Sequence, residues 1–327
     1  MSFESEKSLV RAYHKALDKA DWHAAAAHVA DNLRWRGYHP FNEIFGHEHV
    51  VARFWQPLHS SVRSLHRRED IFFAGSNEID GFSSRWVVSM GHLVGLFDAP
   101  WLGIAPTDRM VFLRYASFLR VEAGAIAEIA MFFDLPHLMM QAGLSPFAVS
   151  RGAHLVQPGP VTHAGLLDRD APPHEGEATL AAINAMSKDL GNWDSGLPLE
   201  EELRRTWSED MIWWGPAGIG ATYTIPRYAA QHAGPFRSTF TDRHFNGHVA
   251  RLAEGHFGGF FGWPNFTARL SGDYLGFTGA GNIGEFRVID IYRRDGSKLA
   301  ENWVFIDMPH FWLSQGVTIL PDEASTS

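Results

Sequence analysis

The chain has 327 residues, 45% hydrophobic and 20% charged, which is a globular composition and long enough for two domains. Its formal net charge is −9, and it has no Lys- or Arg-rich run, so nucleic acid and anionic membranes are poor candidate partners. It has no cysteine, which excludes disulfides, thiolate nucleophiles and cysteine-based zinc sites.

The N-terminal 19 residues alternate charged and apolar side chains and do not have the pattern of a signal peptide. No stretch approaches the ~18 uninterrupted apolar residues that a membrane-spanning helix needs. We therefore expect a soluble, cytoplasmic protein with no membrane partner.

The first predicted element in chain order is an amphipathic helix around Leu9–Leu17. More helix or turn is expected up to Asp31. Runs rich in β-branched and aromatic residues then predict strands at 71–73, 85–90, 110–120 and 126–133. A helix followed by consecutive antiparallel strands predicts an α+β domain with one curved sheet packed on N-terminal helices.

A proline-rich stretch follows, with Pro158, Pro160, Pro172 and Pro173 among several charges. Such stretches connect domains. We predict a first domain at 1–150, a linker at 151–175 and a second domain at 176–327.

The second half repeats the order of the first. A helix is predicted around Leu180–Met186, further helix or turn up to Asp210, and strands at 256–262, 265–271, 285–293 and 299–306.

The two halves also share sequence. Residues 102–143 and 275–316 align without a gap at an offset of 173, with 11 identities in 42 positions. Unrelated sequences would share roughly two or three. The identities include Arg114/Arg287, Glu128/Glu301, Asp134/Asp307 and His137/His310. Upstream, Trp35 pairs with Trp214 and His66 with His244. Two copies are too few for a solenoid, so we interpret the repeat as a duplicated domain.

Several motifs recur in a characteristic order. The first copy has Arg85-Trp86, Gly91-His92, Pro106-Thr107, Glu128 and Asp134, and the second matches best from Arg293 onward. The second has no Arg-Trp at the equivalent place, and Asn265 stands where His92 does. This pattern resembles the SnoaL-like polyketide cyclase group of the nuclear transport factor 2-like superfamily.

The resemblance implies two tandem cone-shaped α+β barrel domains, each with an apolar pocket between the curved sheet and the helices. Domains of this family commonly pair sheet to sheet. One chain could therefore supply both halves of a pseudo-dimer, and further homo-oligomers stay open.

Asp134 and Asp307 are the first candidates for chemistry. Strand alternation places Asp134 on one face with Glu128, and Asp307 on one face with Glu301 and Trp303. If that face is concave, burial raises the carboxyl pKa and makes a proton shuttle. The resemblance implies a general acid/base for intramolecular aldol closure. The alternative is an N-cap, because Asp-x-Pro before a helix is a common cap.

Other polar candidates carry alternatives too. His66, His244 and His92 could polarise a carbonyl or relay protons, or could be exposed or satisfied histidines. Glu128 and Glu301 could be second acids, although ion pairs with Arg120 and Arg293 are favoured. Arg114 and Arg287 could bind a substrate oxyanion, or could bridge the two sheets.

Aromatic residues could line a pocket for a planar ligand, with core packing as the alternative. The full set of predicted substrate contacts, beyond the arginines and Glu301, is Trp35, Tyr38, Trp55, Trp86, Trp214, Tyr223, Trp263, Asn265 and Trp303.

Two apparent motifs are discounted. Residues 279–284 spell G-x-G-x-x-G, but a β-like run follows where a dinucleotide site needs a helix. His47 and His49 lie in a helical pattern that puts them on different faces. We therefore expect neither a cofactor nor a metal.

The leading interpretation is an acid/base enzyme, a cyclase, isomerase, dehydratase or hydrolase, that acts on an apolar carbonyl-containing small molecule. A non-catalytic ligand-binding or assembly module is the alternative. A third possibility is one active copy with a structural partner.

Overall fold

The computed structural model describes residues 2–191 and 195–321. Within these ranges the chain forms two compact units. The first contains residues 2–146, 158–170 and 318–321, and the second contains 147–157 and 171–317 without 192–194. No helix in the described ranges is long and apolar enough to cross a membrane.

The segment predicted as a linker is instead divided between the units. Residues 158–170 belong to the first unit, where the Phe72 N–H donates to the Gly165 carbonyl at 2.8 Å. Residues 147–157 belong to the second, where Ala153 and Ala221 exchange backbone hydrogen bonds. The proline pattern marks the change of domain, but these backbone hydrogen bonds hold each half of the segment to its own unit.

The first unit consists of helices and one six-stranded sheet. Its helices are α1 (Glu4–Asp18), α2 (Trp22–Ala26), α3 (His47–Val50), α4 (Gln56–Ser61) and α5 (Leu135–Gln141). A single π-helical turn, Val51–Trp55, joins α3 to α4. Its strands are β1 (Val29–Gly37), β2 (Glu43–Phe45), β3 (Val62–Ser76), β4 (Arg85–Phe97), β5 (Arg109–Glu122) and β6 (Ala125–Phe133).

The strand order in this sheet is β2-β1-β6-β5-β4-β3. All neighbours are antiparallel except β1 and β6. The amphipathic helix α1 packs on one face of the sheet and buries Val10, Tyr13 and Leu17. Burial of each such side chain stabilises the fold by about 1.5–3 kcal/mol.

The second unit repeats this architecture. Its helices are α6 (Pro173–Gly191), α7 (Leu199–Arg204), α8 (Ile225–Tyr228), α9 (Gly234–Thr239) and α10 (Met308–Ser314). The π-helical turn Ala229–Ala233 joins α8 to α9. Its strands are β7 (Trp207–Trp214), β8 (Ala221–Tyr223), β9 (Phe240–Phe245), β10 (Ala250–Glu254), β11 (Phe257–Leu270), β12 (Asp273–Tyr274), β13 (Phe277–Thr278), β14 (Ile283–Asp295) and β15 (Lys298–Ile306).

The main sheet of this unit has the order β8-β7-β15-β14-β11-β10, with β9 also paired to β11. The prediction of two tandem α+β domains is confirmed. Two details of the prediction are wrong. The runs 256–262 and 265–271 form one strand, β11, with an irregularity between Gly262 and Phe266. Asp31 and Asp210 lie within strands β1 and β7, because each strand gains a parallel partner that is distant in sequence.

Strand register establishes which residues of the two units are equivalent. Trp35 pairs with Ile129, and Trp213 pairs with Asn302, which lies 173 positions after Ile129. Trp35 therefore corresponds to Trp213 rather than to Trp214 as the sequence suggested. A Cβ on Gly37 would lie 1.9 Å from the Trp35 ring, and one on Gly215 equally close to Trp213, so both glycines make room for the tryptophan.

Candidate active site

A cavity of about 870 Å³ lies inside the second unit, between its helices and one face of its sheet. The sheet side is formed by β7, β11, β14 and β15, and the helix side by α6, α7 and the turn from α8 to α9. This volume is in the range of small-molecule sites. Its aromatic lining consists of Trp207, Trp213, Tyr228, Phe236, Phe245, Phe260, Phe266 and Tyr292.

The carboxyl group of Asp290 stands among these rings. Asp290 lies in the middle of β14, within the apolar run Val288–Ile291, and its side chain lines the cavity. The Asn302 Nδ2 donates a hydrogen bond to Asp290 Oδ1 at 3.1 Å, and Tyr292 also donates to the carboxylate. Burial raises the pKa of Asp290 to about 7, although these two hydrogen bonds oppose the rise. Near neutral pH this group can both accept and release a proton.

Three other titratable side chains of the cavity, Tyr228, Tyr292 and His232, are neutral near neutral pH, whereas Glu202 and Arg237 line it as an ion pair. Burial raises the pKa values of Tyr228 and Tyr292 above the usual range of a phenol, and Asp290 adds to both rises. Burial, together with the Arg151 guanidinium, lowers the pKa of His232 to about 3. The two phenols and the imidazole can therefore donate hydrogen bonds without carrying charge.

Five polar side chains of this cavity have a less polar equivalent in the first unit. Register and offset place Ser117 at Asp290 and Ile129 at Asn302. The remaining pairs are Leu119 at Tyr292, Val50 at Tyr228 and Phe54 at His232. The two copies have kept one scaffold and diverged at the side chains that face its interior.

The equivalent space in the first unit is filled by the protein's own rings. Phe54 packs 5.4 Å from Trp35 and 4.9 Å from Phe133, measured between ring centroids. Phe41 and Trp101 complete this aromatic cluster, and Phe41 lies 5.2 Å from Phe54. None of the five side chains is more than 6% exposed, and their rings contact one another directly, as in a packed core.

A polar network lies beside the cluster in the first unit. The Ser89 hydroxyl donates to Glu69 at 2.6 Å and lies 2.8 Å from the Tyr115 hydroxyl. Burial lowers the pKa of His14 well below its usual range, and its ring lies 3.6 Å from Glu69. The guanidinium of Arg67 covers the Tyr115 ring at 4.6 Å. The hydroxyls of Ser89 and Tyr115 and the carboxylate of Glu69 are thus linked inside the fold, whereas His14 Nδ1 and Arg67 Nε have no hydrogen-bond partner among the described residues.

The predicted catalytic aspartates do not line the cavity. Asp134 Oδ1 accepts a hydrogen bond from the His137 N–H at 3.1 Å and caps α5. Asp307 does the same for α10 through the His310 N–H at 3.3 Å, and Arg287 Nη1 lies 3.7 Å from its other oxygen. Both carboxyls are buried and have the capping geometry that was the alternative.

The prediction is wrong about which face of the strand is concave: the cavity lies on the face opposite to the predicted one. In β15 the residues that line the cavity are Asn302, Val304 and Ile306, so Glu301 and Trp303 point away from it. Alternation identifies which side chains share a face, but it does not say which face the helices cover. Glu301 pairs with Arg293, and Glu128 pairs with Arg36 and lies 3.6 Å from Arg120. The ion-pair alternative is therefore the one observed.

The three predicted histidines lie apart from the cavity. His66 and His244 are exposed. His92 is buried, and its Nδ1 lies 3.3 Å from Asp70 Oδ2. Burial lowers the pKa of His92, although Asp70 opposes this.

Of the predicted substrate contacts, Asn265 lines the cavity of the second unit. Tyr223 is 64% exposed, and the Trp263 ring lies 4.0 Å from the Arg287 guanidinium. Arg114 is buried, and burial lowers its pKa to about 10 although Asp134 opposes this. The rest are buried within the units, namely Trp35, Tyr38, Trp55, Trp86, Trp214 and Trp303. Burial alone does not separate the two alternatives for these residues, because an aromatic side chain fills a core and lines a pocket equally well.

Comparison with known proteins agrees with this fold. Residues 10–129 match the family model of the SnoaL-like domain. These residues of the first unit are therefore similar to the SnoaL-like domain, as the motifs predicted. No curated protein matches the sequence.

Three solved structures illustrate the similarity. A protein from Jannaschia sp. CCS1, proposed to be a SnoaL-like polyketide cyclase, shares 18% identity over 43% of this chain and 92% of its own, with a TM-score of 0.37. An NTF2-like protein from Burkholderia thailandensis E264 shares 20% identity over 42% of this chain and 96% of its own, with a TM-score of 0.34. The third is a protein with a ketosteroid isomerase-like fold from Catenulispora acidiphila DSM 44928, in complex with trimethylamine. It shares 14% identity over 42% of this chain and 92% of its own, with a TM-score of 0.34.

Proposed function

We propose that the second unit is a cofactor-independent acid/base catalyst that removes a proton next to the carbonyl of an apolar small molecule. The observation that carries this proposal is Asp290, a buried carboxyl that titrates near neutral pH inside an aromatic cavity. A carboxyl among aromatic rings serves no packing purpose, and perturbed pKa values concentrate at functional sites.

The chemistry balances without a further reactant. The Asp290 carboxylate takes a proton from the carbon next to the carbonyl, the C–H electron pair becomes the enolate C=C bond, and the carbonyl π pair moves to oxygen. The enolate carbon can attack a second carbonyl of the same molecule and form a C–C bond. Protonated Asp290 then returns its proton to the new alkoxide. This is the aldol closure that the SnoaL-like resemblance implies, and the enclosing cavity favours it by holding both ends together.

The first unit serves as a structural partner in this proposal. Its aromatic cluster occupies the space that a ligand would need, and Ser117 in place of Asp290 has no proton to exchange near neutral pH.

Enolisation can be tested without knowing the substrate. We expect the wild-type protein to bind 2-acetylnaphthalene, a flat apolar ketone, and to accelerate exchange of its methyl hydrogens in D2O. Proton NMR follows the loss of the methyl signal. Binding without any acceleration would contradict the enzyme and support a non-catalytic binding module instead.

The two capping aspartates provide the matched control. In the double variant Asp134→Asn, Asp307→Asn, we expect exchange to proceed at the wild-type rate, because the amide oxygen still caps each helix and neither side chain faces the cavity. Loss of the buried charge beside Arg287 should lower the free energy of unfolding by about 1–2 kcal/mol, measured by urea denaturation. A large fall in exchange rate would restore the sequence-based assignment of catalysis to Asp134 and Asp307.

A further inference from the structure

His232 has a defined place in the cavity of the second unit. It lies on the π-helical turn between α8 and α9, and its ring stacks on Trp213 with centroids 4.2 Å apart and planes 20° apart. The side chain lines the cavity. The stack fixes the plane of the imidazole and leaves its edge to face neighbouring groups.

The two ring nitrogens of His232 are in different surroundings. Nδ1 is buried and has no hydrogen-bond partner among the residues that the structure describes. A buried N–H without an acceptor is more costly and rarer than an unused acceptor lone pair. The imidazole is neutral, because burial and Arg151 lower its pKa. The tautomer that avoids a buried unpaired N–H places the single proton on Nε2.

The first unit shows that the stack itself does not require histidine. Phe54 occupies the equivalent turn and packs on Trp35 with centroids 5.4 Å apart and planes 34° apart. The fold therefore accommodates phenylalanine at this position. What histidine adds in the second unit is an N–H group where its copy has only C–H.

His232 and Asp290 can reach one small ligand. Trp213, beneath His232, pairs with Asn302, and Asn302 donates to Asp290. Strands β7, β15 and β14 are successive neighbours, and Asp290 lies two residues along β14 from Tyr292, which pairs with Asn302. The backbones of Trp213 and Asp290 are therefore roughly 12 Å apart. The ring centroids of Tyr228 and His232 are 5.5 Å apart, and the charge of Asp290 raises the pKa of Tyr228.

We propose that His232 Nε2–H donates a hydrogen bond to the carbonyl oxygen of the ligand whose α-proton Asp290 removes. This inference rests on the proposed function and identifies the group that stabilises the carbonyl oxygen as it becomes the enolate oxygen. As the carbonyl π pair moves to oxygen, the hydrogen bond strengthens, while the imidazole keeps its proton. The ligand class follows as a flat ketone with its oxygen toward the α8–α9 turn and its acidic C–H toward β14.

The carbonyl stretch of bound 2-acetylnaphthalene, carbon-13 labelled at the carbonyl, reports this hydrogen bond by infrared spectroscopy. We expect the band at lower frequency in the wild-type protein than in His232→Phe, and restored in His232→Gln, whose amide N–H can take the place of Nε2–H. Exchange at saturating ketone should fall roughly 100- to 1,000-fold in His232→Phe. The phenylalanine at position 54 makes this a fold-compatible substitution, and circular dichroism confirms folding.

The possible failures are distinguishable. Identical carbonyl bands and equal exchange rates in wild type and His232→Phe would overturn the role of His232 while leaving Asp290 catalysis intact. A wild-type protein that binds the ketone and shifts its band but gives no exchange would support the hydrogen bond and overturn the proposed function.

Discussion

Asp290→Asn is expected to lower the exchange rate of 2-acetylnaphthalene by about 100- to 10,000-fold, because an amide cannot accept the proton. In the wild-type protein the rate should rise through about pH 7 and level off above it, since only the carboxylate form of Asp290 is the base. Proton NMR at a series of pH values measures both effects. Asparagine keeps the size of the side chain, so ketone affinity should change little, and an unchanged exchange rate would remove Asp290 from the mechanism.

The same substitution should change how stability depends on pH. The Asp290 pKa is raised in the folded protein to about 7 from 3.8, so between these values the folded state binds a proton that the unfolded state has lost. The contribution of this bound proton to the free energy of unfolding is fully present below pH 3.8 and is lost as pH rises through 7. From pH 5 to pH 8 the wild type should lose about 3 kcal/mol of unfolding free energy relative to Asp290→Asn. If the unfolding free energies of the wild type and Asp290→Asn, measured by urea denaturation, differ by the same amount at every pH, the raised pKa of Asp290 is contradicted.

Trp35→Ala is expected to destabilise the protein by about 3–5 kcal/mol without changing its affinity for 2-acetylnaphthalene. The Trp35 ring is 1% exposed and packed against Phe41 and Phe54, so its removal leaves a hole in a filled core. Urea denaturation measures the first effect, and calorimetric titration with the ketone measures the second.

Trp213→Ala is the matched substitution in the second unit, and the opposite balance is expected. Trp213 is among the residues that line the cavity, so its removal enlarges an existing space, and the loss of stability should be smaller, about 1–3 kcal/mol. The ketone should lose at least roughly tenfold in affinity, because a ring that the ligand contacts is gone. Equal effects of the two substitutions on binding would contradict the difference between a filled core and an open cavity.

The general architecture could be predicted because its signals are local or repeated. Helical periodicity around Leu9–Leu17, strand runs and the gap-free repeat lead to two α+β domains. Strands β1 and β7 could not be predicted in this way, because each pairs in parallel with a strand almost a hundred residues away. The linker prediction was only partly useful, since backbone hydrogen bonds attach its two halves to different units.

The site was harder to predict because identity between the two copies also marks residues whose role is structural. Asp134 and Asp307 match because both cap a helix, and Glu128 and Glu301 match because both pair with arginine. Such structural roles are needed in both copies. A function carried out in one cavity appears in a comparison of the copies as a difference.

That difference was present in the aligned sequences. At the offset of 173, Asp290 aligns with Ser117 and Asn302 aligns with Ile129, in strands that otherwise keep their apolar character. A single ionisable residue inside a run such as Val288–Ile291 is costly to bury unless it has partners and a purpose. Its partners, Asn302 and Tyr292, become neighbours only through the pairing of β14 with β15.

A crystal structure of the protein soaked with 2-acetylnaphthalene tests the central claim most directly. We predict one ketone per chain, in the cavity of the second unit, with its oxygen toward His232 and its methyl group toward Asp290. A ketone seated instead within the aromatic cluster of the first unit, or absent from the cavity at saturating concentration, would contradict the assignment of function to the second unit.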